Sequence, residues 1–376
     1  MYEQIDAYIR RLVSGSSPRG TAWNMERVRQ GKPAHWNYID GCMLTALMTL
    51  SDITGDPFFA DFVETFVDAF VLEDGTIRTY DPAKYNLDDV NEGRVLFPLY
   101  RKTGKEKYRR AADVLARQLQ DQPRTREGNY WHKLIYPNQV WLDGIYMAQP
   151  FRALYARELG DRDYSDIVKQ IETVRARMFD PARGLYRHGY DAEKTVFWAD
   201  PVTGCSRSFW LRAIGWFATA LADLMEIVDD PAARARLAPV FSELMAGIAP
   251  YADPDTGMYC QVVDQRGRAG NYPETSGSCM IAYAMRKGAR LGVLGPEYAL
   301  LGKKTFDGIV RTQLKAEGED VELGGICLVA GLGPADDLRR DGSYQYYISE
   351  PVVKNDAKGV APLVMCYTEV IRSRPA

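Results

Sequence analysis

The stretch Thr54-Gly55-Asp56-Pro57 lies between two apolar helical patterns, one over 38–53 and one over 57–71. Glycine suits the left-handed position that ends a helix, and proline suits the first turn of the next, where an N–H would go unused. A connection this short turns the second helix back antiparallel to the first. Thr103-Gly104 and Leu159-Gly160-Asp161 repeat the device. Working outward, apolar periodicity broken by Gly, Pro and Asp predicts helices over 2–14, 38–53, 57–71, 88–103, 105–120, 138–159, 162–179, 206–228, 230–250, 274–292, 297–313 and 358–372. Arranged as six hairpins, these predict an all-α fold, an (α/α)6 barrel with an inner and an outer ring. No low-complexity linker or abrupt change of composition interrupts the chain, so residues 1–376 are expected to form a single catalytic barrel domain.

The helices starting near 38, 88, 138, 206, 274 and 358 each follow a longer loop rich in aromatic and polar residues. In a ring of hairpins, all helices of one layer point the same way. Their N-termini therefore gather at one rim, and the unusual residues there converge on one mouth. Six partly positive helix ends around one cavity suit an anionic ligand.

Composition narrows the partners. Lys+Arg of 47 against Asp+Glu of 50 leaves a net charge of −3, which gives no electrostatic reason to expect nucleic acid or an anionic membrane. No apolar run approaches the ~20 residues of a membrane span. Met1-Tyr2-Glu3-Gln4-Ile5-Asp6 lacks the basic-then-apolar pattern of a secretory signal. The six cysteines are scattered without a C-x-x-C pair and read as reduced thiols, so neither disulfides nor structural zinc is expected. These features point to the cytoplasm and to a small imported substrate.

The most unusual stretch runs Trp131-His132-Lys133-Leu134-Ile135-Tyr136-Pro137-Asn138-Gln139-Val140-Trp141-Leu142-Asp143-Gly144. Asp143 is expected about a turn and a half into an almost wholly apolar helix. Asp-Gly is poor helix-interior chemistry, and an unpaired buried carboxylate is costly. Broken local rules of this kind often mark function. Trp141 and Met147 beside it would desolvate the carboxyl, which suits a general acid. The plainer alternative is a carboxylate buried against an arginine. A second acid, Asp88 in Asn86-Leu87-Asp88-Asp89-Val90-Asn91, could accept a sugar hydroxyl, orient Asp143, or simply serve the helix start. In Ser206-Arg207-Ser208-Phe209-Trp210-Leu211-Arg212-Ala213-Ile214-Gly215-Trp216, a cation lies beside flat apolar rings. Arg212 suits a bidentate carboxylate and the indoles suit a sugar face, although Trp216 could equally be core. The three histidines, His35, His132 and His188, show no metal-ligand spacing, so no metal is expected. The glycine-rich run 324–333 does not match a phosphate loop.

Together these stretches resemble glycoside hydrolase family 105, the unsaturated rhamnogalacturonyl hydrolases. The matching pieces are Trp36-Asn37-Tyr38, Leu87-Asp88-Asp89-Val90-Asn91-Glu92-Gly93-Arg94, Tyr136-Pro137-Asn138-Gln139-Val140-Trp141-Leu142-Asp143-Gly144, Phe209-Trp210-Leu211-Arg212-Ala213-Ile214-Gly215-Trp216, Glu274-Thr275-Ser276-Gly277-Ser278 and Tyr347-Ile348-Ser349-Glu350-Pro351-Val352-Val353. They stand in the family's order across nearly the whole chain. The resemblance implies an (α/α)6 barrel without cofactor, acting on a small unsaturated oligosaccharide. It also implies Asp143 as general acid and base, with Asp88, His132, His188, Arg212 and Trp216 lining the unsaturated-sugar subsite. Tyr38, Trp141 and Trp210 are further expected members. Three alternatives remain at this level: an unsaturated glucuronyl hydrolase, a sugar epimerase on the same barrel, or a non-catalytic carbohydrate-binding barrel. An epimerase would want paired histidines in the lumen, and a binding barrel has no reason to bury Asp143.

Overall fold

The computed structural model describes residues 2–317 and 320–373. Its inner ring contains the helices Tyr38–Thr54, Leu142–Glu158, Leu211–Ile227, Thr275–Arg290 and Ala357–Arg372, with residues 87–103 in the remaining place. Each inner helix packs on the next, and Ala357–Arg372 packs back onto Tyr38–Thr54, so the ring closes. The outer ring is formed by Tyr2–Ser14, Pro57–Phe70, Glu106–Asp121, Ser165–Met178, Pro231–Ile248 and Pro296–Gln313. The expected (α/α)6 barrel is therefore the observed fold.

Patterning explains the two layers. Within Leu211–Ile227 every residue but Glu226 is buried, as befits a helix surrounded by others. Glu106–Asp121 instead buries Tyr108, Ala111, Ala112, Leu115 and Leu119, a stripe at helical spacing, and exposes Glu106, Arg110, Arg117 and Asp121 on its other faces. The hairpin turn forms as read. Gly55 ends its helix at φ 72° with its N–H on the Ser51 carbonyl, and Asp56 caps the N–H of Phe58 at 3.0 Å.

Three inner elements differ from the sequence reading, all on the mouth side. The helix expected over 88–103 is broken into Leu87–Asn91, a 3-10 turn Glu92–Val95, and Leu96–Thr103. The backbone of that turn lies against Gly41, where a Cβ would stand 2.5 Å from Glu92 Cα. The buried Glu92 accepts the Asn37 N–H through Oε2, and burial, then the nearby Asp40 charge, raises its carboxyl well above the usual range. The element expected over 138–159 begins as a strand, Gln139–Trp141, and turns helical only at Leu142. The helix expected from 206 starts at Leu211, with extended Trp210 as its cap residue.

The lumen is filled rather than open. Trp216 stacks on Tyr146 at 4.6 Å between centroids, and the Arg94 guanidinium lies 5.1 Å from the Tyr146 ring. Below them Asp223 accepts hydrogen bonds from Arg94 at 2.6 Å, Tyr283 at 2.6 Å and Lys287 at 2.8 Å. This network seals the end of the barrel opposite the helix N-termini. A polar cavity of about 280 Å³ lies on its outer side, where Glu226 and Glu369 join the lining.

Candidate active site

The site is assembled by one small ribbon. Strand Gln139–Trp141 pairs antiparallel with Gly189–Asp191, setting Trp141 opposite Gly189. The Leu142 N–H then donates to the His188 carbonyl at 3.1 Å. This brings the start of one inner helix beside a loop some fifty residues later in sequence. Asp143 consequently stands in the first turn of its helix, not a turn and a half inside as expected, and faces the mouth. Its neighbour is not an arginine. His188 Nε2 lies 3.2 Å from Asp143 Oδ2, yet neither atom makes an aligned hydrogen bond and both are otherwise unpartnered. Apo sites often hold such loose pairs, which tighten when substrate is bound.

Asp88 occupies the equivalent first turn of Leu87–Asn91, whose N-cap is Asn86. Lys133 donates to its Oδ2 at 2.6 Å, and His132 Nε2 lies 3.5 Å from its Oδ1. Burial opposes ionisation of Asp88, but Lys133, with His132, outweighs it and keeps the carboxyl below its usual range. Burial pushes His132 down to about 4 despite Asp88, so its ring is neutral near pH 7. The adjacent Asp89 moves the other way, up to about 7, through burial and then the Asp88 charge.

Trp141 binds these halves together. Its ring stacks on His132 at 4.4 Å, packs tilted against Tyr136 at 4.6 Å, and meets His188 edge-on at 5.6 Å. Trp210 lies 4.8 Å from the His188 ring and stacks on Tyr347 at 5.7 Å. On its other side it carries Arg212, whose guanidinium is 5.0 Å from the indole. Arg212 is 1% exposed. It donates to the Cys327 carbonyl at 2.5 Å and to Ser276 Oγ at 3.3 Å, and among the described residues it forms no ion pair with a carboxylate. A buried guanidinium so placed is prepared for an anion from outside. Tyr38 opens the inner helix Tyr38–Thr54 and meets Trp216 edge-on at 6.2 Å. Burial, then the charges of Glu26 and Asp88, hold its phenol far above the usual range.

The structure thus gathers the nine expected residues around one mouth, at the N-termini of inner helices or in the loops before them. Trp216 is nearly fully buried and packs between Tyr146 and Tyr38, at the floor of this mouth, as its core reading has it. Sequence reasoning missed Lys133 as the partner of Asp88, although it follows His132 directly. It also missed Glu26, from the short helix Met25–Gln30, which accepts from the buried Lys358 at 2.7 Å. That pair joins residues 332 apart, and no local signal could announce it. Among the described residues, no group of three or more His, Cys, Asp and Glu side chains could hold a metal ion. None of the described helices is long and apolar enough to cross a membrane.

Chemically, the mouth offers a buried carboxyl group beside a histidine, a second carboxylate held by a lysine, a neutral histidine, aromatic faces and a buried cation. Comparison with known proteins gives this set a family. The model of Glycosyl Hydrolase Family 88 matches residues 17–374. A solved glycoside hydrolase of family 105 from C. acetobutylicum ATCC 824 is 38% identical, with a TM-score of 0.87 over 92% of this chain and 97% of that one. The protein Atu3128 of Agrobacterium fabrum is 42% identical over 229 residues, which are 59% of this chain and 97% of that relative. YesR, an unsaturated rhamnogalacturonyl hydrolase of Bacillus subtilis, is 24% identical over 68% of this chain and 72% of its own length. The chain therefore belongs to the family 88 and 105 glycoside hydrolases, the unsaturated uronyl hydrolases.

Proposed function

We propose that this enzyme removes the terminal 4,5-unsaturated galacturonyl residue from short rhamnogalacturonan fragments left by a lyase, with rhamnose as the leaving sugar. The observation that carries the reading is the placement of buried Arg212, without a carboxylate partner, at the mouth that also holds the unpartnered Asp143 Oδ2. An unsaturated uronate presents both features such a site needs, a carboxylate for the cation and an enol ether for the acid. The name of the Bacillus relative favours galacturonyl-rhamnose over a glucuronyl substrate.

In this reading Asp143 gives its proton to C4 of the sugar while the C4=C5 electron pair forms the new C–H bond. Positive charge develops at C5 and the ring oxygen, beside the Asp143 carboxylate just formed. A water molecule attacks C5 and returns its proton to Asp143. The hemiketal opens and the glycosidic bond is lost. One carboxyl group serves as both acid and base, unlike the two-carboxylate arrangement of most glycosidases. Arg212 holds the substrate carboxylate, Asp88 accepts from sugar hydroxyls, and His132, His188, Tyr38, Trp141, Trp210 and Trp216 shape the subsite. The whole barrel acts as one catalytic domain with no cofactor. The six cysteines are all unpaired, which fits a reducing, cytoplasmic setting and an imported fragment.

The test follows the ultraviolet absorbance of the enol-ether carboxylate in an unsaturated galacturonosyl-rhamnose disaccharide. Absorbance should fall with the wild-type enzyme, and about 10²–10⁴ times more slowly with Asp143→Asn. No loss on this disaccharide, with loss on an unsaturated glucuronyl one, would replace the galacturonyl assignment. No loss on either would overturn the reading.

A further inference from the structure

His188 is fully buried, and both of its ring nitrogens face specific atoms. Nδ1 lies 2.6 Å from the Tyr347 hydroxyl, and Nε2 lies 3.2 Å from Asp143 Oδ2. The ring has little freedom to turn. Trp210 packs at 4.8 Å, Trp141 meets it edge-on at 5.6 Å, and the backbone on either side is tied into the ribbon and to Leu142. Tyr347 is equally fixed. It stacks on Trp210, and its carbonyl accepts from Gln261 Nε2 at 3.0 Å. Burial holds its phenol far above the usual range, so the hydroxyl keeps its proton and can donate it in a hydrogen bond.

A phenolic O–H that donates to Nδ1 makes that nitrogen the acceptor. In a neutral imidazole the single proton must then sit on Nε2, the nitrogen facing Asp143. We infer that Tyr347 is a positioning residue which, by fixing the Nε2–H tautomer of His188, makes Asp143 Oδ2 an acceptor and keeps the catalytic proton on Oδ1. This inference rests on the reaction proposed above and concerns how the same acid is prepared for it.

The proton balance is simple. The Oδ1–H bond breaks as the C4–H bond forms, and the attacking water later restores a proton to Oδ1. His188 neither gains nor loses a proton in the cycle. The Nε2–H, 3.2 Å from Oδ2 but not aligned on it in the resting site, closes into a hydrogen bond as Asp143 becomes a carboxylate, because a bond to an ionised acceptor is the stronger one. That gain appears in the transition state and not in the resting acid, so it lowers the barrier and leaves substrate binding nearly unchanged. With the opposite tautomer, a bare Nε2 lone pair would face Oδ2. The acid proton would then be drawn into an Oδ2–H···Nε2 bond, away from the sugar.

Tyr347→Phe keeps the ring that stacks on Trp210 and removes only the donor. We expect kcat on the unsaturated disaccharide to fall about 10–100-fold while KM stays within about threefold, a split that a loss of packing would not give. The chain has only three histidines, so nitrogen-15 imidazole spectra can be assigned with His188→Asn. They should show His188 Nδ1 unprotonated and Nε2 protonated in the wild-type enzyme, and loss of that single tautomer in Tyr347→Phe. A protonated Nδ1 in the neutral wild-type ring would overturn the inference whether or not the variant folds. So would an unchanged kcat in Tyr347→Phe. If the tautomer is as stated but neither unsaturated disaccharide is consumed, the failure belongs to the proposed reaction alone.

Discussion

A methyl group at position 144 would stand 2.9 Å from His132 Nδ1 and 3.3 Å from Leu87 Cδ1. The Asp-Gly pair that looks like poor helix chemistry is thus a fitting of shapes. Gly144 leaves room for His132, which lies against Asp88 and stacks on Trp141. On an ordinary helix, Gly→Ala stabilises by roughly 1 kcal/mol. Here the added carbon must displace the histidine. Gly144→Ala is expected to lower kcat/KM on the unsaturated disaccharide by about tenfold or more, with only a small change in melting temperature. A variant with full activity would show that the close fit of His132 has no bearing on the reaction.

The inner elements argue the same way one level up. Tyr38–Thr54 approaches the 3-10 turn Glu92–Val95 so closely that a side chain at position 41 would meet backbone rather than a yielding tip. Gly41→Ala should therefore destabilise the fold by about 1–3 kcal/mol, read from urea unfolding. It should also lower activity, since Asp88 rides on the same broken helix; an undisturbed unfolding midpoint would contradict this. The helix hairpins were legible in sequence because their signals are local: Gly55 and Asp56 act within a few residues of themselves. The convergence of Asp88, Asp143 and Arg212 on one mouth was legible too, because it follows from the direction of the hairpins. The strand Gln139–Trp141 was not. Its apolar residues fit a helix equally well, and what makes them extended is pairing with Gly189–Asp191, far along the chain. The break at Glu92 was hidden for the same reason, since the reason for it lies on another helix. Lys133, Glu26 and the hydrogen bond between His188 and Tyr347 likewise depend on distant partners.

At the scale of the whole molecule, the buried charge network at the closed end is one source of acid sensitivity. Burial opposes the charge on Asp223, but Lys287 and Arg94 outweigh it and lower the carboxyl from 3.8 to about 2. A depressed folded value means that its contribution is fully present above about pH 4 and is lost as the pH falls through about 2. The shift corresponds to roughly 2 kcal/mol. Removing the carboxylate costs more, because Arg94 and Lys287 would stay buried without it. Asp223→Ala is expected to lose about 3–5 kcal/mol at pH 7 and to lose part of the wild-type drop in stability between pH 4 and 2. Chemical denaturation at both ends of that range checks it, and an unchanged stability at pH 7 would refute the role given to the network.

That same plug makes the barrel a cup with a single opening. Trp216, Tyr146, Arg94 and Asp223 fill the axis, so nothing can thread from one end to the other. Whatever enters the mouth must leave by it, so a product still held in the cup blocks the next substrate, and release through that one rim comes between every two turnovers.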